Sequence, residues 1–266
     1  MKILVADGYN LLYRARTGFY SGENPIVFNF IRSFKALIEQ LTPERIYFVT
    51  EGSPKARLKM LPEYKGQRVY TDHDDFKRQR KFCIDMLKEH FPVIVANHQD
   101  HECDDVIGAI VNDIHPNELC TIVSTDTDFI QLVDRSQRVS LYNPVKKDFI
   151  DPVPYDYVAW KALTGDKSDN IEGFKRVGPK TATKLVTSPG ALEKFLDTEE
   201  KLTKFNTNVQ LIKLEDVEVD KIQFSSCKYN SDAVRQIFET MKFDSLLNDK
   251  YWNKFERVFS GRKEFE

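Results

Sequence analysis

Cysteine, tryptophan and glycine are scarce in this chain. Its four cysteines in 266 residues, Cys83, Cys103, Cys120 and Cys227, form no CxxC pair. Such usage argues against a disulfide framework and a zinc knuckle, and for a reducing compartment. An excess of one charge is also missing: 39 Lys+Arg against 41 Asp+Glu leave a net −2, which excludes a wholly basic nucleic-acid coat but permits local charge separation. The longest apolar runs, such as 46–49, fall far short of the roughly 20 residues that cross a bilayer. Residues 3–6 already read as a strand, so neither a membrane span nor a signal peptide is expected. Internal repeats and low-complexity tracts are absent.

What is present is the make-up of a globular chain, with 41% hydrophobic and 30% charged residues, enough for a core and for one or two domains. The first half alternates short apolar runs with amphipathic stretches, the pattern of a parallel sheet covered by helices. Strands are expected at 3–6, 46–49, 93–95 and 121–123, with a further one at 139–142. Val27, Phe30, Ile31, Phe34, Leu37 and Ile38 recur at helical spacing within 26–41, and Val106, Ile107, Ile110 and Val111 repeat that pattern within 104–114. From about residue 154 the texture changes, with a soft boundary at 152–154. Helices are expected at 155–163, 181–186, 209–217 and 231–246, the last two packing back on the body. The stretch 260–266 is polar enough to fray.

Acids fall where the expected strands end. Asp7 follows 3–6, Glu51 follows 46–50, Asp126 and Asp128 follow 121–125, and Glu102, Asp104 and Asp105 follow the loop after 93–95. In an open parallel sheet the carboxyl ends share one edge, where such folds place their sites. Any one of these acids could equally be a helix cap. Crowded together, carboxylates repel unless protons or cations intervene, and an all-oxygen donor set selects Mg2+ or Mn2+ over zinc. Downstream, Asp166 and Asp169 stand at i and i+3, on one face if that segment is helical. A cluster this rich can hold two cations, which activate a water and neutralise the leaving oxygen of a phosphodiester. Metal-assisted phosphodiester hydrolysis is therefore the leading chemistry.

Two basic stretches suit such a substrate. A Gly-containing turn at 173–180 opens a helix at about Thr181, and amides there, helped by Lys180, can hold a backbone phosphate without reading bases. Gly-Pro turns before helices are also common without any ligand. Residues 53–81 carry Lys55, Arg57, Lys59, Lys65, Arg68, Lys77, Arg78, Arg80 and Lys81, with Tyr64 and Tyr70 among them. Such a stretch either faces solvent or leaves the Glu51 strand as an excursion over bound substrate. Lys65 and Arg68, three apart, could both reach a scissile phosphate.

In chain order, Asp7-Gly8-Tyr9-Asn10 with Arg14, Leu61-Pro62-Glu63-Tyr64-Lys65-Gly66-Gln67-Arg68, Glu102-Cys103-Asp104-Asp105, Ser124-Thr125-Asp126-Thr127-Asp128, and Gly165-Asp166-Lys167-Ser168-Asp169-Asn170 through Lys180-Thr181-Ala182 resemble the 5′-nuclease family of flap endonucleases. That family includes bacteriophage 5′–3′ exonucleases, which the free-standing chain resembles more, and the N-terminal nuclease domain of bacterial DNA polymerase I. The resemblance covers roughly residues 1–196, with a weaker echo at 238–247.

The resemblance implies an α/β, PIN-like 5′-nuclease fold, with a central, mostly parallel sheet flanked by helices. Residues 1–153 would form the catalytic part, with an arch over 69–91. Residues 154–259 would form a helical part with a helix–three-turn–helix at 163–186 and C-terminal packing helices, ahead of a tail at 260–266. The implied activity is Mg2+-dependent hydrolysis, with Mn2+ able to substitute, of 5′ flaps and 5′-ended duplex DNA, including removal of RNA primers in replication and repair. A monomer in the cytoplasm is implied, the host's if phage-encoded, with a replicative polymerase or a single-strand-binding protein as partner. Asp7, Glu51 and Asp104 would belong to a first metal, and Asp126, Asp128 and Asp169 to a second, with Asp104 between them. Glu102, Asp105 and Asp166 would act through bound water or as outer support. Lys65 would be the catalytic lysine and Arg68 its phosphate-steering neighbour. Arg14, Arg57, Tyr64, Lys77, Arg78, Arg80, Lys81, Gly178, Lys180 and Thr181 would meet DNA, and hairpin carbonyls would hold a K+. The chain departs from the family pattern at Glu51, where Asp is usual, at Cys103 in place of Ala, and in the hairpin at Glu172 in place of Pro and Arg176 in place of Gly. A non-catalytic junction-binding module and a nuclease acting mainly on RNA–DNA hybrids are the competing readings.

Overall fold

The computed structural model describes residues 1–20, 22–68, 74–133 and 136–260. Its strands, in chain order, are β1 (Lys2–Asp7), β2 (Arg45–Val49), β3 (Ile94–Asn97), β4 (Leu119–Val123), β5 (Val139–Asn143), β6 (Asp148–Ile150), the short pair β7 (Gly165–Asp166) and β8 (Ile171–Glu172), and β9 (Gln223–Ser225). All but β7 and β8 join one sheet in the order β6-β5-β4-β1-β2-β3-β9. The central five pair in parallel, and β6 and β9 close the two margins antiparallel. The order reverses at β1, because the chain leaves β1 for β2 on one side and returns from β3 to β4 on the other. The carboxyl ends on either side of such a reversal frame a crevice.

Both faces of the sheet are buried, so its strands read as near-continuous apolar runs. Alternate residues divide between two cores: Leu4, Ala6, Ile46, Phe48 and Val95 join one, and Ile3, Val5, Tyr47, Val49, Ile94 and Ala96 the other. The first core is covered by helices Gly8–Ala15, Pro25–Leu41 and Asp74–His90, joined by Ser231–Thr240 and Asp249–Phe259. Pro25 at its first turn starts the long helix Pro25–Leu41, and left-handed Thr42 ends it, as expected of a residue that cannot carry the spiral further. The second core is covered by helix Cys103–Ala109 and a continuing π-turn over Ile110–Ile114. Helices Tyr157–Thr164, Pro179–Thr187 and Glu199–Ile212 build smaller clusters of their own around Ala162, Leu163, Ala182 and Leu211.

Within the segment expected as an arch over 69–91, residues from Asp74 on form the regular helix Asp74–His90, with Phe76, Cys83, Met86 and Leu87 buried, which leaves that expectation standing. Gln79 anchors the helix by accepting the Ile26 N–H at 2.9 Å. Those buried residues join the first core, and residues 69–73, with Tyr70, lie outside the described residues. Other sequence expectations are corrected. The helix expected over 209–217 is the end of Glu199–Ile212. The one expected over 231–246 breaks after Thr240, where Lys242 takes φ 56° before the short helix Asp244–Leu247. Strands β6 and β9, three residues each, were too short to leave a periodic signal. Of the tail expected to fray, 261–266 lies outside the described residues.

Gly52 shows how tightly the β2 exit is packed. A Cβ built there would fall 1.9 Å from the His98 carbonyl oxygen and 2.4 Å from that of His101. Gly52→Ala should therefore displace backbone beside Glu51 and destabilise the fold by about 2 kcal/mol or more. Urea unfolding of the variant would test this, an unchanged midpoint being the contrary result.

Candidate metal-dependent active site

Asp7 closes β1 and caps helix Gly8–Ala15, its Oδ1 accepting the Asn10 N–H at 3.1 Å. Its Oδ2 accepts the Ser124 hydroxyl at 2.7 Å, from just beyond β4. The Asn10 side chain donates to Thr125 Oγ1 at 2.7 Å, tying the β1 exit to the β4 exit. Glu51, beyond β2, accepts the Cys103 N–H at 3.0 Å. Asp104 follows in the first turn of helix Cys103–Ala109, and Asp126 accepts the Asp128 N–H at 2.9 Å. Four segments thus bring carboxylates to one edge. Burial raises Asp7 to about 6, against the lowering bonds from Ser124 and Asn10. Burial likewise raises Glu51 to about 7, where Glu102 and Asp7 add repulsion. Asp104 is raised well above the carboxylate range, first by burial and then by Asp126, Asp7 and Glu51.

Asp128, Asp166 and Asp169 form a second group, each offering an oxygen within 4.8 Å of the others. Burial raises Asp128 to about 6 although Lys161 opposes it. Asp166 is lowered despite its burial, by Lys161 and Ser168. Lys161 bonds to Asp128 and lies 2.6 Å from Asp166, and Arg68 lies 2.6 Å from Asp169. Asp104 and Asp126 of the first group and Asp128, Asp166 and Asp169 of the second line a cavity of about 540 Å³ together with Lys65 and Lys161.

Lys65 sits between the two groups, bonded to Glu102 and 3.9 Å from Asp169. Burial disfavours its charge, but Glu102, Asp169 and Asp104 outweigh that and raise its pKa. Its backbone is left-handed at φ 56°, an uncommon state for a lysine that surrounding structure must enforce. Enforcement comes from the 166–170 segment: Lys65 N–H donates to the Asp169 carbonyl at 3.1 Å, and Asn170 Nδ2 donates to the Glu63 carbonyl at 3.0 Å. Chemically, hard oxygen donors whose proton affinity is raised first by burial and then by like-charged neighbours suit divalent cations, which offset both.

Residues 2–159 match the family described as 5′-3′ exonuclease, N-terminal resolvase-like domain, and residues 153–225 match 5′-3′ exonuclease, C-terminal SAM fold. The chain belongs to the 5′-3′ exonuclease family. It is 30% identical over 215 residues to DNA polymerase I of Streptococcus pneumoniae serotype 4, covering 72% of this chain and 24% of that protein. It is 26% identical to the 5′-3′ exonuclease of Aquifex aeolicus, covering 94% of this chain and 95% of that one. The chain thus spans about a quarter of the DNA polymerase I relatives it matches. Among solved structures, T5 D15 protein co-crystallised with metal ions superposes with a TM-score of 0.66 at 18% identity, over 97% of this chain and 99% of that one.

Placed on this exonuclease-family fold, the sequence-derived site divides. Asp7, Glu51, Asp104, Asp126, Asp128, Asp166 and Asp169 converge, with Asp166 within 4.8 Å of Asp128 and Asp169. Asp105 does not join them: it is fully buried, and its two oxygens pair with Arg57 at 2.7 Å. Arg57, expected to meet DNA, is 2% exposed and spends its remaining donors on Glu102 and the Leu211 and Lys213 carbonyls. Tyr64, likewise expected on the DNA face, is buried with its hydroxyl shared between Glu102 at 2.9 Å and Asp169 at 3.0 Å. Glu102 therefore receives Arg57, Tyr64 and Lys65 and acts as the seat of Lys65. Lys77, Arg78 and Lys81 are exposed on helix Asp74–His90, the last two paired with Asp75 and Asp85. Arg80 stacks over Tyr9 at 4.6 Å, and Arg14 is half-buried. Gly178, Lys180 and Thr181 are exposed at the start of helix Pro179–Thr187. Lys161 escaped the sequence reading because a single lysine in an apolar helix carries no motif.

The raised Glu51 carboxyl predicts a pH effect in the metal-free protein. Between its ordinary value of 4.5 and its folded value of about 7, the folded chain holds a proton that the unfolded chain has released. Stability must therefore fall as pH rises through that window. Melting in EDTA from pH 4.5 to 8 should show this decline in wild type and a flatter profile in Glu51→Gln, and parallel profiles would refute the assignment.

Proposed function

We propose that this chain is a divalent-metal-dependent 5′ nuclease that hydrolyses phosphodiesters at 5′ flaps and 5′ ends of duplex DNA. One observation carries the reading: carboxylates from the β4 exit, helix Cys103–Ala109 and the 166–169 segment line one cavity with Lys65, and Asp7 and Glu51, at the ends of β1 and β2, stand close enough to Asp104 to raise its proton affinity. Support comes from the bacteriophage T5 D15 flap endonuclease, whose structure is a pseudo-enzyme-product complex with DNA and metal ions.

In this reading Asp7, Glu51 and Asp104 would hold one ion, and Asp126, Asp128, Asp166 and Asp169 would hold a second. Mg2+ is the proposed ion, with Mn2+ able to replace it. Such ions, when bound, polarise the phosphate and lower the pKa of the attacking water. Lys65, held in place by Glu102 and the strained backbone, directs its ammonium at charge developing on the scissile phosphate. Arg68 steers that phosphate. Exposed Lys180 and Thr181, with the amides at the start of helix Pro179–Thr187, hold a duplex phosphate farther off without reading bases. A K+ on hairpin carbonyls, an RNA–DNA hybrid substrate, a polymerase or single-strand-binding partner, a monomeric state and a cytoplasmic setting belong to the same proposal. Among the described residues, no helix is long and apolar enough to cross a membrane. The complete acid set around Lys65 favours hydrolysis over a purely structural binding module.

Cleavage of a 5′-flap duplex in Mg2+ tests the reading. Asp128→Ala should abolish most of the activity that EDTA also removes, and rates matching wild type would reject it. Lys65→Ala should lower the single-turnover rate by about 10²–10³ with little change in DNA affinity. A loss confined to affinity would instead make Lys65 a binding residue.

A further inference from the structure

We propose that Lys161 is a built-in counter-cation of the second acid group, which a divalent ion must expel in order to bind. The inference rests on reading that group as a cation site. Lys161 lies on helix Tyr157–Thr164, whose start is fixed by Asp156 accepting the Ala159 N–H at 2.9 Å. The Tyr157 hydroxyl donates to Thr127 Oγ1 at 3.1 Å, fastening that helix beside Asp128. From there the Lys161 side chain, 11% exposed, bonds to Asp128 Oδ1 and reaches Asp166 Oδ2 at 2.6 Å.

The neighbouring Lys65 and Arg68 do not span those two carboxylates. Lys65 bonds to Glu102, and Arg68 pairs with Asp169. Lys161 alone bridges Asp128 and Asp166 among the described ion pairs. An ion taking those two oxygens at about 2.1 Å would stand within contact range of the ammonium, in a recess where like charges are poorly screened. The two occupants are mutually exclusive. With no divalent ion, Lys161 offsets the charge of Asp128 and Asp166, whose repulsion would otherwise drive the 126–128 and 166–169 segments apart. With the ion in place, the ammonium is released to the wall of the same cavity, adding positive charge near the phosphate only in the loaded state. This is a two-state exchange biased by one ligand.

The test uses the full chain, stripped with EDTA and then titrated with Mn2+ by calorimetry and electron paramagnetic resonance. In Lys161→Met the second Mn2+ should bind at least roughly tenfold more tightly than in wild type, the order expected for one removed like charge. The same variant should melt lower in EDTA, and Lys161→Arg should restore that melting temperature. Unchanged or weaker Mn2+ binding in Lys161→Met would overturn the exchange while leaving the nuclease reading intact. A wild-type chain that takes up no Mn2+ would defeat the nuclease reading and the exchange together. Should Lys161→Met fail to fold, wild type itself decides: its Lys161 ammonium should give a protected 15N signal in EDTA that is lost to solvent exchange on adding Mg2+. A signal that stays protected would overturn the proposal.

Discussion

Repulsion among carboxylates at the carboxyl edge of β1, β2 and β4 is the constraint around which this molecule is built. Left in water, seven acids would keep apart. Here the sheet fixes Asp7, Glu51 and Asp126 at strand exits, and helix Cys103–Ala109 adds Asp104. Two apolar cores supply the force that keeps them close, since hydrophobic burial scales with area and is indifferent to the charge at the sheet's end. Burial raises the proton affinities of Asp7, Glu51, Asp104 and Asp128, and the crowding of acids adds to that rise. Active sites commonly store such strain where a ligand can release it.

Basic side chains divide the work of containing it. Arg57 turns inward and joins Asp105 and Glu102 to the end of helix Glu199–Ile212 through the Leu211 and Lys213 carbonyls. It thereby links the turn that carries Lys65 to the helical part that carries the exposed Lys180. Removing one partner from a buried pair of this kind exposes the other to a large desolvation penalty, so Arg57 belongs to the scaffold. Lys65 and Lys161 line the cavity, and Arg68 pairs with Asp169 at its margin.

Much of this was legible in the sequence. Strands buried on both faces left apolar runs, and acids placed directly after those runs announced the edge on which they would meet. The ordered motifs from Asp7 to Ala182 supplied the family. Less could be read where one residue type serves two purposes. The basic stretch 53–81 looked uniform, yet Arg57 is buried, Lys65 is half-buried and Lys77 is exposed, a division set by which tertiary neighbours each one meets. Asp104 and Asp105 are adjacent, yet successive helical positions point about 100° apart, so one faces the cavity and the other Arg57. The helix Asp74–His90 has mean polarity enough to pass for a solvent excursion, and only its buried stripe of Phe76, Cys83, Met86 and Leu87 reveals a packed element.

The brevity of β6 and β9 has a bearing beyond the site. Each terminates the sheet with three residues, running opposite to its neighbour and offering few unsatisfied backbone groups to a foreign strand. A parallel sheet with long bare flanks would be a template for fibre growth. Here lateral accretion would find only three residues at either flank to extend.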